Sequence, residues 1–263
     1  MTNRWMTAAI LVALLAGAAA CAPSTRRSGP EPVAIPPLRV GLAPDSPPIA
    51  FKQGGQLAGI EVDLAVQLAS DLRRPLRIAE LRWDDLIPAL LGGQIDVIMS
   101  GMTITRAREF RVAFAEPYLK TGITALMRSY EATSYDTPAK ITGSTARIGV
   151  VKGTTAEKFV RERCPGASRL PYPSPQDAVT ELRNRRIDLF VSDAQLVAWF
   201  LSANESELAG MFTPMTDDAL AWGFRPGDDD LRASANAVLA RWKEDGTLKQ
   251  ILRRWLRLWP GLD

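Results

Sequence analysis

Three short clusters in this chain set residues that hold charge beside residues that leave the backbone open. The first lies in "SGMTITRAREFRVAFAEPY", directly after the apolar run "IDVIMS". Gly101 permits close backbone approach and Thr103 supplies a hydroxyl. Arg108 carries a planar guanidinium that can grip a carboxylate through two parallel bonds of about 2.7–2.9 Å. Arg106 and Arg111 stand near enough to compete for that role. The second cluster is Gly153, Thr154 and Thr155, between "ARIGVV" and "AEKFVRER". A helix N-terminus there offers free N–H groups and partial positive charge to an anion, and capping by Thr154 or Thr155 is compatible with that role. The third is Asp193 after "IDLFVS", which can pair with a cation or cap "AQLVAWFL". Two anion-binding groups and one cation-binding group together suit an α-amino acid.

The chemistry the chain lacks narrows the choice. It has no histidine, so the usual general base near neutral pH and the commonest metal ligand are missing. Of its two cysteines, Cys21 directly follows the apolar leader, and once it is acylated Cys164 is the one cysteine left to react, so no internal disulfide is possible. Cys164 lies in "RERCPG", where Pro165 and Gly166 end a helix, and reads as structural, because a reactive cysteine belongs at a helix N-terminus or beside a base. "VKGTTAEK" lacks the spacing and the lysine of a phosphate-binding loop. The expectation is binding without catalytic residues, metal or cofactor. The formal charge of +3 falls to +2 once the first twenty residues and their Arg4 are removed, too weak a bias for a nucleic-acid partner.

The elements that must position these clusters alternate between strand and helix patterns, the mark of an α/β fold. "PLRVGLA", "LRIAEL" and "IDVIMS" read as strands. "EVDLAVQLASDLRR" reads as a helix with Val62, Ala65, Val66, Leu68 and Ala69 on its apolar side. "WDDLIPALLGGQ" reads as a helix capped by Asp84 or Asp85. A weak internal repeat follows: "GGQIDVIMSG" at Gly92 to Gly101 is echoed by "NRRIDLFVSD" at Asn184 to Asp193. Ser174 is placed to cap the helix before the second copy, with Pro175 as its first residue. Strand–helix units resemble one another, so the echo does not prove duplication, but it predicts two α/β lobes of similar build. "TGITALMRS" reads as a strand-like crossover and "ALAWGFRPG" as a returning strand. The chain then ends in two helices broken at Asp245-Gly246. Leu231, Ala235, Val238, Leu239 and Trp242 form one apolar stripe, and Leu248, Ile251, Leu252 and Trp255 another. Arg253, Arg254 and Arg257 fall on a solvated face.

At the N-terminus, Arg4, the apolar span "MTAAILVALLAGAAA" and small residues before Cys21 form a secretory pattern covering residues 1–20. The span is shorter than the roughly 20 apolar residues of a membrane-crossing helix. Cys21 resembles the lipidated cysteine of a bacterial lipobox, although "AAAC" lacks the usual leucine three residues earlier; ordinary cleavage nearby is the alternative. Residues 21–37, rich in proline and polar side chains, read as a tether. With 46% hydrophobic residues among 263, the remainder can bury substantial cores.

"GIEVDLAVQLA", "WDDLIPALLGGQIDVIMSGMTITRAREFRVAFAEPY", "GVVKGTTAEKF", "IDLFVSD" and "ANAVLARWKEDGTLKQI" resemble the extracellular solute-binding proteins of family 3. These are the periplasmic binding components of ABC importers for polar amino acids. The resemblance runs from about Leu38 to Leu258 and is most specific between Leu86 and Tyr118. It implies a two-lobed, type II periplasmic binding protein fold. Lobe 1 would comprise 38–120 and 221–259 and lobe 2 would comprise 121–220, with hinge crossovers at Leu119 to Ile123 and Ala219 to Trp222. It further implies that Arg108 clamps the ligand α-carboxylate, helped by Thr103 and Thr155, and that Asp193 and the Gly101 carbonyl hold the α-ammonium. Trp83 would pack against the ligand side chain, and Asp45 and Ser100 would line its pocket.

Two departures stand out. Pro48 occupies the position where relatives place an aromatic over the ligand, and Glu61 replaces the commoner aspartate in a structural role. The function implied is capture of a polar or cationic L-amino acid by a monomer in the periplasm or on the outer face of the cell membrane, anchored by lipid on Cys21. Lobe closure would present the ligand to an ABC permease in the inner membrane. The alternatives are a cyclohexadienyl dehydratase-like enzyme, with Asp193 or Glu157 as its acid, and a sensor or accessory protein that no longer transports.

Overall fold

The computed structural model describes residues 35–256. The expected signal peptide, Cys21 with most of its tether, Arg257 and the end of the first lobe lie outside the described residues. In the first lobe β1 (Leu38–Leu42) leads into a small antiparallel sheet of β2 (Asp45–Ser46), β3 (Ala50–Gln53) and β4 (Gln56–Ala58). Helix α1 (Ile60–Asp71) then returns to β5 (Leu76–Glu80). Its buried stripe is Ile60, Leu64, Ala65, Leu68 and Ala69, which turns Val66 out to solvent at 54% exposure and corrects the expected phase. A short 3-10 turn, Trp83–Asp85, precedes α2 (Leu86–Leu91). Asp85 stands at the cap position of α2, but Arg82 binds its carboxylate and no side-chain cap forms, contrary to expectation. β6 (Val97–Ile98), α3 (Arg106–Glu109) and β7 (Ala113–Phe114) complete this first pass.

The chain leaves through β8 (Leu119–Thr121) and builds the second lobe from β9 (Ile123–Arg128), α4 (Pro138–Thr142), β10 (Arg147–Val151), α5 (Thr155–Arg163), β11 (Ser168–Tyr172), α6 (Pro175–Arg183), β12 (Leu189–Asp193), α7 (Ala194–Ala203) and β13 (Leu208–Gly210). Ser174 caps α6 by accepting from the Asp177 N–H, and Pro175 opens the helix, as the sequence predicts. The return path is not one strand but two, β14 (Asp218–Leu220) and β15 (Gly223–Phe224), which belong to different sheets. Helices α8 (Asp229–Asp245) and α9 (Thr247–Trp255) close the first lobe, broken at Gly246 as expected. None of the described helices is long and apolar enough to cross a membrane.

The two main sheets share one plan. Their orders are β5-β1-β6-β15-β7 and β11-β10-β12-β9-β13, and in each a parallel triplet meets an antiparallel strand at its third member. β6 and β12, the two copies of the Ile-Asp echo, hold that third position. Asp96 accepts the Arg39 backbone N–H at 2.9 Å, and Asp188 accepts the Arg147 backbone N–H at 2.8 Å. The same arginines add side-chain bonds to the same aspartates. Gly41 and Gly149 sit at equivalent register positions, and a Cβ on either would collide with Ile95 or Ile187, the isoleucine of its own Ile-Asp pair. The correspondence therefore extends to "RVGL" on β1 and "RIGV" on β10, the second strand in each sheet order.

Between the lobes β8 and β14 pair antiparallel, with Leu119 opposite Leu220 and Thr121 opposite Asp218. The first lobe packs α1, α8 and α9 around buried Trp222 and Trp242. The second has a core on each face of its sheet, and Cys164 is buried in one of them, where burial raises its thiol pKa.

Candidate functional site

The first cluster occupies the turn after β6. Gly101 adopts φ +67°, and a Cβ there would press on Ile49 Cγ2 at 3.0 Å, so both backbone angle and space call for glycine. Its N–H donates to Glu61 Oε1 at 3.0 Å. Ser100 is buried, and its hydroxyl accepts the Ala43 N–H at 2.9 Å. Buried Thr103 forms a bridge with Leu220 on the return crossover. Thr105 caps the one-turn helix α3 by accepting the Arg108 N–H, which points the chain back on itself. Arg108 Nη1 donates to the Thr103 carbonyl at 2.9 Å, and its guanidinium lies 5.2 Å from the centre of the Trp83 ring, a cation–π contact. Burial lowers the Arg108 pKa, opposed by the negative charges of Asp193 and Asp218. Arg106 and Arg111 are exposed.

The second and third clusters come from the other lobe. Thr154 caps α5, accepting from the Glu157 N–H and donating to the Val151 carbonyl. Glu157 accepts the N–H of Gly153, the residue before the cap, at 2.8 Å and pairs with Arg169. Thr155, first in the helix and half-buried, makes no side-chain hydrogen bond among the described residues. Asp193 ends β12 at the cap position of α7 yet does not cap it. Its Oδ1 is buried with no hydrogen-bond partner. Burial, reinforced by Asp218, raises its pKa to about 6, while Arg108 acts in the opposite sense.

The lobes meet across these groups. Trp83 Nε1 donates to the Gly153 carbonyl at 3.3 Å, and the missing Cβ of Gly153 leaves room for Asp84 and Trp83. Trp83 therefore covers Arg108 and touches the opposite lobe. Phe51 on β3 packs against Trp199 on α7 with ring centres 5.0 Å apart and against Trp255 at 5.7 Å. Asp45 lies on β2 in register with Phe51; its residue is exposed, and partial desolvation of its carboxyl raises the pKa.

Sequence reasoning missed Asp218. It lies on β14, accepts from the Thr216 hydroxyl at 2.6 Å, and is the second negative charge acting on both Arg108 and Asp193. The paired aspartates of "TDDAL", just before the returning strand, were the available signal.

Two α/β lobes on a pair of crossing strands, with a cation of one set against an unpartnered carboxylate of the other, define a type II periplasmic binding protein. The profile of the bacterial extracellular solute-binding proteins, family 3, matches residues 38–258. The chain belongs to this family. It is 33% identical over 225 residues to the L-arginine-binding protein of Pseudomonas aeruginosa, covering 82% of this chain and 86% of that one. Among solved structures it resembles a mutant of ArgBP from T. maritima, with TM-score 0.78, 32% identity and coverage of 84% of this chain and 95% of that chain. It also resembles the ancestral amino acid-binding protein AncCDT-1, described as a precursor of cyclohexadienyl dehydratase, with TM-score 0.77, 32% identity and coverage of 83% and 94%.

Proposed function

We propose that the chain captures a cationic L-amino acid in the cell envelope and delivers it to an ABC permease by closing its lobes. The observation that carries this reading is the buried, unpartnered Asp193 carboxylate set against Arg108. An α-ammonium would complete Asp193 and the Gly101 carbonyl, while the α-carboxylate would take the free edge of the Arg108 guanidinium with Thr103 and Thr155. Asp218 adds a negative charge beside Arg108 and Asp193 that an α-amino acid alone does not balance, which favours a second cation on the ligand side chain, and Asp45 is the further carboxylate that such a side chain would reach. Ser100 and Trp83 complete the wall. Because the ligand bridges both lobes, it binds the closed form more tightly and shifts the population toward closure. The name of the arginine-binding relative points the same way. In this reading the protein is a monomer held at the membrane by lipid on Cys21, and no bond is made or broken.

Calorimetry with the proteinogenic L-amino acids tests the proposal. Arginine or lysine should bind most tightly, and silence across the whole set would refute it. A dehydratase is the second reading, favoured by the likeness to AncCDT-1 and by an Asp193 that is partly protonated near neutral pH. Glu157 is already committed to Gly153 and Arg169. Consumption of prephenate or arogenate would establish the enzyme in place of the receptor.

A further inference from the structure

Glu61 lies in the first turn of α1, fully buried, with no cation paired to it among the described residues. Its carboxylate instead gathers three donors from three distant parts of the chain. Oε1 accepts the Gly101 N–H at 3.0 Å and the Tyr118 hydroxyl at 2.8 Å, and Oε2 accepts the Trp222 indole N–H at 3.0 Å. Gly101 belongs to the turn that carries the proposed ligand groups. Tyr118 immediately precedes β8, where the chain leaves the lobe, and Trp222 immediately follows β14 and its continuation, where the chain comes back. The Tyr118 and Trp222 rings stack at 6.1 Å, and Trp222 meets Trp242 edge-on at 6.0 Å, so the two side-chain donors are held in place by packing. The backbone of the same helical turn is tied elsewhere: the Ile60 and Glu61 N–H groups donate to the Pro48 and Ile49 carbonyls, in the turn between β2 and β3.

We propose that Glu61 is a positioning residue for closure: one carboxylate that fixes the Gly101 turn and the first-lobe ends of both crossovers as a single unit. A group that only filled the core would need no three-way acceptor, and an apolar side chain would serve it better. A carboxylate satisfies three donors at once. An amide in its place must turn its NH2 toward either the Trp222 or the Gly101 N–H, leaving donor against donor in a buried site. The consequence for ligand affinity rests on the binding function proposed above; the positioning of the three segments does not.

The test uses the whole mature protein with Glu61→Gln and Glu61→Asp. Hydrogen exchange without ligand should accelerate in Glu61→Gln at residues 99–103, 117–121 and 219–223, while α8 stays protected. With L-arginine as probe, affinity should fall roughly tenfold to a hundredfold in Glu61→Gln. Glu61→Asp, which keeps the charge and retracts it, should recover part of both losses, and it carries the test alone if the glutamine variant does not fold. Unchanged exchange in the three segments, or acceleration spread evenly through the first lobe, would overturn the proposal. If the wild-type protein ignores every amino acid, the receptor reading fails, and the exchange pattern alone then judges Glu61.

Discussion

The two lobes place opposite charges on nearly the same frame. In each, the second strand of the sheet, β1 or β10, carries Arg, an apolar residue and Gly and is clamped to an Ile-Asp pair that immediately precedes the third strand. Beyond that third strand they diverge. The first lobe continues into the Gly101 turn and swings Arg108 back under Trp83. The second passes straight from β12 into α7 and leaves Asp193 at the junction without a partner. The shared frame aims both strand ends at the cleft, and a few residues after each end decide the sign of the charge. A symmetric scaffold thus yields an asymmetric grip, suited to a molecule with unlike ends.

The strongest way to break this asymmetry is to remove its fixed charge. Arg108→Ala should weaken binding of L-arginine by about a hundredfold or more, because the ligand carboxylate would be buried without a partner. Calorimetry would read the loss, with circular dichroism showing an intact fold; retained affinity would mean that the clamp lies elsewhere.

Next in size is the titrating half. With the Asp193 pKa raised to about 6, binding to an ammonium should be about tenfold weaker at pH 5 than at pH 7. Asp193→Asn should bind weakly and lose that pH dependence. The same shift governs the stability of the free protein. Burial lifts Asp193 from 3.8 to about 6, so the native state holds this proton more tightly than the unfolded chain. Its contribution to stability is full below pH 3.8 and is lost as pH rises through about 6. Denaturant unfolding across that window should show stability falling from this source, and ligand should reverse the fall.

The smallest effect probes the shared frame itself. Gly41→Ala and Gly149→Ala should each cost about 1–3 kcal/mol from overpacking against Ile95 and Ile187. Matching losses in the two lobes would support their equivalence, and a large difference between them would limit it to backbone plan.

Local signals were read well. The Ser174-Pro175 start of α6 and the break at Gly246 depend on a few adjacent residues, and both appear where the sequence puts them. Features set by distant partners were harder. Val66 was misplaced because the side of α1 that is buried is set by the sheet and by α8 and α9, not by the helix alone. Asp85 was expected to cap, but Arg82 binds its carboxylate in the intervening 3-10 turn. "ALAWGF" read as one strand because its residues are uniformly apolar; it divides because its halves join different sheets. Within the candidate site, Arg108, Thr155 and Asp193 stood out through their places after strands and at helix starts. Asp218 did not, and Glu61 was marked only as a departure from the family pattern, since the neighbours of both are assembled by the return crossover, which no short window of sequence displays.

The aromatic contact between Phe51 and Trp199 has a kinetic meaning. Opening the lobes requires those rings to part, whatever lies between Arg108 and Asp193. Residence time on this receptor would then depend in part on a seam outside the pocket, so that the release rate could drift between relatives while ligand preference stays the same.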